Sequence, residues 1–328
     1  MQHQYMNHSQ SGWRRCSWLL LAGCLFAGAC KKEVKITKEP VAGYFSRTKY
    51  ILLANAGFSK FCQYLSDTGL MDSLSTEGPF TVMAPDDNAF SKSPYPIQDA
   101  TLKERIGYHI LKGSFSLRQL PLGLNQVLPA AGNRKIWVSK WMEGTDTAIA
   151  VNGCRVAQAD MPTANGYANI LKDVMELEDH NAIEDVMKND ERFTFISTAL
   201  NRTGLFDYIR QNKDVTILAP DNRAFKIYSN INSMERVLSM DIDSLTKLVK
   251  HHLLPGKKFA TDILVAIGTD RPHKFMMLDG TYVMGYTSGS SFALQSGRNW
   301  VTLASRQRYC YPSDDAVLYY ITSILELR

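Results

Sequence analysis

The sequence predicts an α+β chain in which one domain occurs twice, and three observations carry that prediction. The segment Thr81-Val82-Met83-Ala84-Pro85-Asp86-Asp87-Asn88-Ala89-Phe90 returns as Thr216-Ile217-Leu218-Ala219-Pro220-Asp221-Asn222-Arg223-Ala224-Phe225, with six identities at an offset of 135 residues. Apolar residues at helical spacing precede each copy, over Tyr50 to Leu74 and Ala182 to Ile209. Short runs of strand character follow, at Lys135 to Val138, Ala148 to Val151 and Thr281 to Met284. Repetition in a constant register marks duplication, and helices segregated from a strand-rich half mark the α+β class.

The first residues address the chain to a compartment. Arg14 and Arg15 precede an apolar run of twelve residues, Trp18 to Ala29, which Lys31, Lys32 and Glu33 end abruptly. A helix needs about 18–20 apolar residues to span a bilayer. A basic start, a short apolar core and small residues before a cut describe a secretory signal instead. Two cysteines compete for processing. Leu21-Ala22-Gly23-Cys24 is closer in letters to the bacterial lipobox, but cutting there leaves a core of about six residues, below the 7–15 a signal uses. Cys30, after Ala27-Gly28-Ala29, leaves the core whole and is the expected lipidation site, with Cys24 the alternative. The signal is then residues 1–29, the lipidated tether 30–47, the first domain 48–180 and the second 181–328. Several acyl chains hold a membrane where one is marginal, because each buried CH₂ contributes about 0.8 kcal/mol.

Composition narrows the function classes. At 45% hydrophobic and 21% charged residues the chain is globular in character. Removing Arg14 and Arg15 with the signal lowers the formal charge from +5 to +3, and no block of Lys and Arg remains. Nucleic-acid binding needs clustered cations to displace counterions, so it is not expected. Cys62, Cys154 and Cys310 lie far apart with no CxxC pattern, so buried thiols are expected and neither a zinc site nor a redox pair.

Within each repeat the elements follow from residue type. Thr81 to Ala84 and Thr216 to Ala219 are apolar strands stopped by Pro85 and Pro220. Asp86 and Asp221 stand where a carboxylate caps a starting helix, and Phe90 and Phe225 then turn inward. Upstream, Thr68-Gly69-Leu70 and Thr203-Gly204-Leu205 break the helical pattern where glycine suits a helix end. Downstream, Tyr108-His109-Ile110-Leu111-Lys112-Gly113 pairs with His251-His252-Leu253-Leu254-Pro255-Gly256 at an offset of 143. The domains meet near Glu178 to Ala182 with almost no linker, which predicts a fixed pair.

These segments name a family. The strand–Ala-Pro-Asp–helix unit, the Tyr-His-Ile-Leu unit and a closing apolar strand resemble the fasciclin (FAS1) domain, over about residues 45 to 328. The closing strand is Asn165 to Met175 in copy one and Asp315 to Leu325 in copy two, and Val151-Asn152-Gly153-Cys154-Arg155-Val156 resembles the family's Asn-Gly strand. The resemblance implies a β-sandwich or wedge with N-terminal helices. It also implies adhesion, matrix contact or surface association, without catalysis or a cofactor. Carried over, the family's receptor-contact region falls on Tyr108, His109, His251 and His252, whose alternative role is hydrogen-bonded packing. Copy two departs from the pattern: His251 replaces the tyrosine, Asp315-Ala316 replaces Asn-Gly, and residues 263 to 313 align poorly. That diverged stretch is either a ligand surface or drift in a tolerant loop. Its aromatics Tyr286, Trp300, Tyr309 and Tyr311 are candidates for a sugar platform or for core.

Catalytic signatures do not appear. The sequence has no GxSxG elbow, HExxH or P-loop, and His251 and His252, if on a strand, would face opposite sides. Two function classes follow. One is a lipid-anchored envelope protein adhering to matrix, polysaccharide or a protein partner; the other is an accessory lipoprotein supporting a periplasmic complex. Lys31 after the lipid cysteine, rather than Asp, resembles lipoproteins sent to the outer membrane.

Overall fold

Both apolar runs of the repeated segment become buried strands at the centre of their copies: β1 (Phe80–Pro85) and β8 (Val215–Pro220). The computed structural model describes residues 46–92, 101–130, 134–177, 182–227, 231–268, 272–288, 291–304 and 310–326. The signal, Cys24, Cys30, most of the tether, Tyr309 and the Glu178 to Asn181 junction lie outside them. All the described residues belong to one unit.

The first copy is a seven-stranded sheet. After β1 come β2 (Ile110–Lys112), β3 (Gly123–Pro129), β4 (Lys135–Glu143), β5 (Asp146–Val151), β6 (Cys154–Thr163) and β7 (Gly166–Leu171), in spatial order β2-β1-β7-β6-β5-β4-β3. β1 and β7 run parallel, Phe80 opposite Gly166 through Pro85 opposite Leu171. Parallel neighbours are covered on both faces, which is why β1 reads as a continuous apolar run. Its side chains alternate between two cores, as the period of a strand requires. Val82 and Ala84 join Leu52, Phe58, Phe61 and Leu65 of the helical layer. Met83 joins Tyr108, Leu111, Ile136 and Val138 on the other side.

The second copy repeats this and then departs. Its later strands are β9 (Leu253–Pro255), β10 (His273–Met276), β11 (Tyr282–Ser288), β12 (Ser291–Ser296), β13 (Asn299–Ala304), β14 (Cys310–Pro312) and β15 (Ala316–Ile321). The order β14-β15-β8-β9 reproduces β6-β7-β1-β2, with β8 and β15 again parallel. Copy one has a single long strand, β6, which pairs with both β5 and β7. Copy two has β13 paired with β12 and β14 paired with β15, so its strands form two four-stranded sheets. The stretch 263 to 313, for which the sequence leaves a tolerant loop open, is mainly the sheet β10-β11-β12-β13.

The helical layers follow the predicted breaks. Helices Thr48–Leu53, Ser59–Asp67 and Leu70–Ser73 match Ile183–Lys188, Thr194–Arg202 and Leu205–Asn212. Gly69 and Gly204 sit at φ 71° and 66°, and nothing lies within 4 Å of where a Cβ would stand, so backbone conformation alone favours glycine there. Asn152-Gly153 is not part of a strand. At φ 47° and 79° it forms the two-residue turn joining β5 to β6, the geometry that Asn-Gly favours in hairpins. Cys62, Cys154 and Cys310 are buried thiols outside any disulfide.

The two copies touch through an interface invisible in either copy alone. Trp137 on the outer face of β4 packs on Phe259, ring centroids 5.7 Å apart, and joins the core of the second copy. The Lys257 Nζ lies 4.3 Å from the Trp137 ring centroid and donates to the Ser313 carbonyl. Around this pair, Asn125 Nδ2 donates to the Lys257 carbonyl at 2.6 Å and Thr261 Oγ1 to the Gly153 carbonyl at 2.7 Å. Ser139 Oγ donates to Asp262 Oδ1. Burial pushes the Asp262 carboxyl up, while the Ser139 hydroxyl and the Phe259 N–H oppose the shift.

Candidate functional site

The motif residues are structural to the last atom described. Thr81 Oγ1 donates to the Gly113 carbonyl at 2.8 Å and accepts from the Phe115 N–H. Thr216 does the same with Gly256 and Lys258. Each hydroxyl therefore ties the central strand to the turn after its edge strand. Asp86 Oδ1 accepts from the Ala89 N–H and Asp221 Oδ1 from the Ala224 N–H, both at 2.7 Å. These caps start the helices Asp87–Lys92 and Asn222–Ile227 and orient Phe90 and Phe225 into the helical cores. Ala84 and Ala219 are fully buried, and Pro85 and Pro220 end their strands.

The four residues that the resemblance assigns to receptor contact lie inside the protein. Tyr108, His109, His251 and His252 are each at most 1% exposed. His109 Nδ1 donates to the Arg105 carbonyl at 2.9 Å, and its Nε2 accepts from the Met175 N–H at 3.1 Å. His252 repeats this with the Leu248 carbonyl and the Leu325 N–H. A carbonyl only accepts and an amide N–H only donates, so both rings are held neutral with the proton on Nδ1. Each ring ties the helix before its edge strand to the chain after the closing strand. Tyr108 donates to the Lys135 carbonyl and accepts from Asn152 Nδ2. His251, in its place, pairs through Nε2 with Ser296 Oγ at the end of β12, and through Nδ1 with Thr281 and Asp279. The surface contact that the resemblance implies is thus not made by these side chains. The two histidines of copy two also sit in a turn rather than on a strand, with ring planes 84° apart.

Burial lowers the pKa of His109 and of His252 to about 4. Above the unfolded value of about 6.5 both states are neutral and these rings add no pH dependence. Between pH 6.5 and 4 the unfolded chain takes up protons that the folded chain refuses. Stability should therefore fall by about 1.4 kcal/mol per pH unit for each histidine. Urea unfolding of the intact chain at pH 7, 5.5 and 4 checks this; unchanged midpoints would remove the two neutral locks.

The exposed aromatics gather on one surface of the second copy. Tyr286 and Trp300 lie with ring centroids 4.9 Å apart on the outer face of the β10–β13 sheet. Trp300 is 51% exposed, and Tyr282 and Met276 on the same face are 41% and 55% exposed. The Lys274 Nζ stands 4.6 Å from the Tyr282 ring centroid. Tyr311 is elsewhere, half-buried and bonded to Arg192 Nη2. Sequence reasoning missed the residues that join the copies, Trp137, Lys257, Phe259 and Asp262. Asp262 carried one local signal: it accepts from the Phe259 N–H as the third residue of helix Ala260–Ile267, a placement typical of a helix start.

Among the described residues, no group of three or more His, Cys, Asp or Glu is placed to hold a metal ion. Comparison with known proteins gives one consistent result. The fasciclin domain matches twice, over residues 56–177 and 191–322. Human periostin is 27% identical over 212 residues, 64% of this chain and 24% of its own length. Rabbit transforming growth factor-beta-induced protein ig-h3 is 24% identical over 203 residues, 59% of this chain and 29% of its own. The chain thus spans less than a third of the length of either relative. Protein sll1483 of Synechocystis is 28% identical over 133 residues, 38% of this chain and 70% of that protein. A solved FAS1 domain pair from the insect cell adhesion molecule fasciclin I covers 84% of this chain and 98% of its own, with 15% identity and a TM-score of 0.41.

Proposed function

The chain belongs to the fasciclin domain family, and from that premise we propose that it is a non-catalytic adhesion protein, lipid-anchored in the outer membrane of a bacterial envelope. The observation that carries this reading is the doubled domain: two fasciclin copies account for residues 56–177 and 191–322. Their polar motif residues are committed to holding the fold, which leaves recognition to outer surfaces. The anchor rests on the sequence: Arg14 and Arg15, the apolar run to Ala29, and Cys30 before Lys31. The direct contact between the copies suits a module that transmits force between a membrane anchor and a matrix, polysaccharide or protein ligand.

Attachment of cells to their own isolated extracellular matrix tests the role. Deleting the gene should reduce attachment severalfold, and the full chain should restore it. A chain with both Cys24→Ala and Cys30→Ala, secreted without its lipid, should not. Attachment unaffected by the deletion would refute adhesion and leave a periplasmic accessory role.

A further inference from the structure

The outer face of the β10–β13 sheet is open where its counterpart in copy one is roofed. Strand register separates the two sides of this sheet. Phe275, Val283, Phe292, Leu294 and Val301 point into the core, while Lys274, Met276, Tyr282, Tyr286, Gln295 and Trp300 occupy the opposite face. In copy one the corresponding sheet is β3 to β6, and Trp137 and Ser139 on the outer face of β4 are covered by Lys257, Phe259 and Asp262. The fold thus already uses this face as a docking surface once. A second copy of the chain does not suit the open face. Aligning Gly113 with Gly256, which the matching threonine bonds fix, puts Ser114 and Ser116 where Lys257 and Phe259 make the roof. Those serines supply neither the cation nor the ring.

We propose that the outer face of the β10–β13 sheet binds an acidic, uronate-bearing polysaccharide. This deepens the adhesion reading and rests on it. The face combines the two groups that such a polymer engages. Tyr282 and Trp300 offer exposed rings on strands, with the half-buried Tyr286 ring against Trp300, and these are rigid apolar plates on which the C–H faces of pyranose rings stack. Tyr282 and Tyr286, four residues apart on one strand, are separated by on the order of 13 Å, a length that suits an extended chain rather than a single sugar. Polar atoms flank the rings: Gln295 accepts from the Tyr286 hydroxyl at 3.0 Å and keeps its amide donors for sugar hydroxyls. The charge on the face is positive. Lys274 lies over the Tyr282 ring, and no carboxylate shares the face among its described side chains. Glu326, near the β12–β13 turn, is turned onto the backbone N–H of Arg298. A neutral glycan would use the rings and leave Lys274 idle; a uronate uses both.

Affinity electrophoresis of the full chain, extracted from membranes in mild detergent, tests this with sodium polygalacturonate as probe and dextran as neutral control. The intact protein should be retarded by polygalacturonate, more at low salt than at high, and not by dextran. Trp300→Ala and Tyr286→Ala should each weaken retardation, Trp300→Ala by on the order of tenfold. Lys274→Gln should weaken it and flatten its salt dependence, and Ile227→Ala, an 82% exposed apolar residue off this sheet, should change nothing. Thermal melts of Trp300→Ala and Lys274→Gln should match the parent, because those two side chains are exposed. No retardation of the intact protein, equal retardation of parent and Trp300→Ala, or equal binding of dextran would each overturn the proposal. The readout is independent of where the chain sits on the cell. A protein that binds polygalacturonate but fails the attachment assay loses the adhesion role and keeps this surface; the reverse result loses only this surface.

Discussion

Gly166→Ala is expected to unfold the first copy, or to destabilise it by roughly 4 kcal/mol or more. Gly166 begins the closing strand at φ 140°, directly opposite Phe80 in the parallel pair. A Cβ there would lie 1.7 Å from the Phe80 carbonyl oxygen and 2.9 Å from the Phe80 nitrogen. Both atoms are backbone, so neither moves without breaking the β1–β7 pairing. The same shift would strain the bond from the Phe80 N–H to the Asn165 carbonyl. It would also strain the Asn165 side chain, which accepts from Thr48 and donates to the Leu74 and Thr76 carbonyls. Copy two supplies its own control. Ala316 holds the corresponding place opposite Val215 and already carries a methyl, without a positive φ. Hydrogen exchange resolved by segment should show loss of protection across residues 80–171 in Gly166→Ala, with copy two protected. Full protection of β1 and β7 in that variant would contradict the geometry.

The second large effect is expected at the junction. Trp137→Ala removes a side chain that belongs to copy one by sequence and to the core of copy two by contact. Truncating a buried tryptophan costs about 3–5 kcal/mol, and here the loss falls mainly on the coupling between copies. The Trp137 backbone stays paired with Asn152 in the variant, so the first sheet retains its hydrogen bonds. What goes is the stack on Phe259 and the ring beneath Lys257, whose ammonium keeps its bonds to the Ser313 and Asp314 carbonyls. The parent should unfold in one calorimetric transition and Trp137→Ala in two, the second copy melting first. A single transition in both proteins, unshifted by the substitution, would mean that this contact does not couple the copies.

What the sequence discloses depends on how local the signal is. The Asp86 and Asp221 caps, the Gly69 and Gly204 breaks and the parallel use of two apolar runs are short-range matters, settled within a few residues of chain. Doubling makes each of them visible twice. The Asn152-Gly153 turn is placed on a strand by the family resemblance; the positive φ pair separates β5 from β6. Tyr108, His109, His251 and His252 are surface candidates only through the family resemblance. Beyond the local Arg105 and Leu248 carbonyls, their environment is made by partners 27 to 73 residues away in sequence, such as Lys135, Met175 and Leu325. The contact of Trp137 with Phe259 is set by how two folded copies meet, and no spacing in the chain encodes it. The aromatic face is partly legible. Tyr286 and Trp300 stand out as residues, but their sharing one side with Tyr282 and Lys274 requires the register of β10 to β13.

Protease treatment of intact native cells tests the central claim, an adhesion module displayed on the envelope, most directly. The full chain should be digested without lysis. Cys30→Ala should release the chain from the membrane. Complete protection until the outer membrane is opened would contradict the claim.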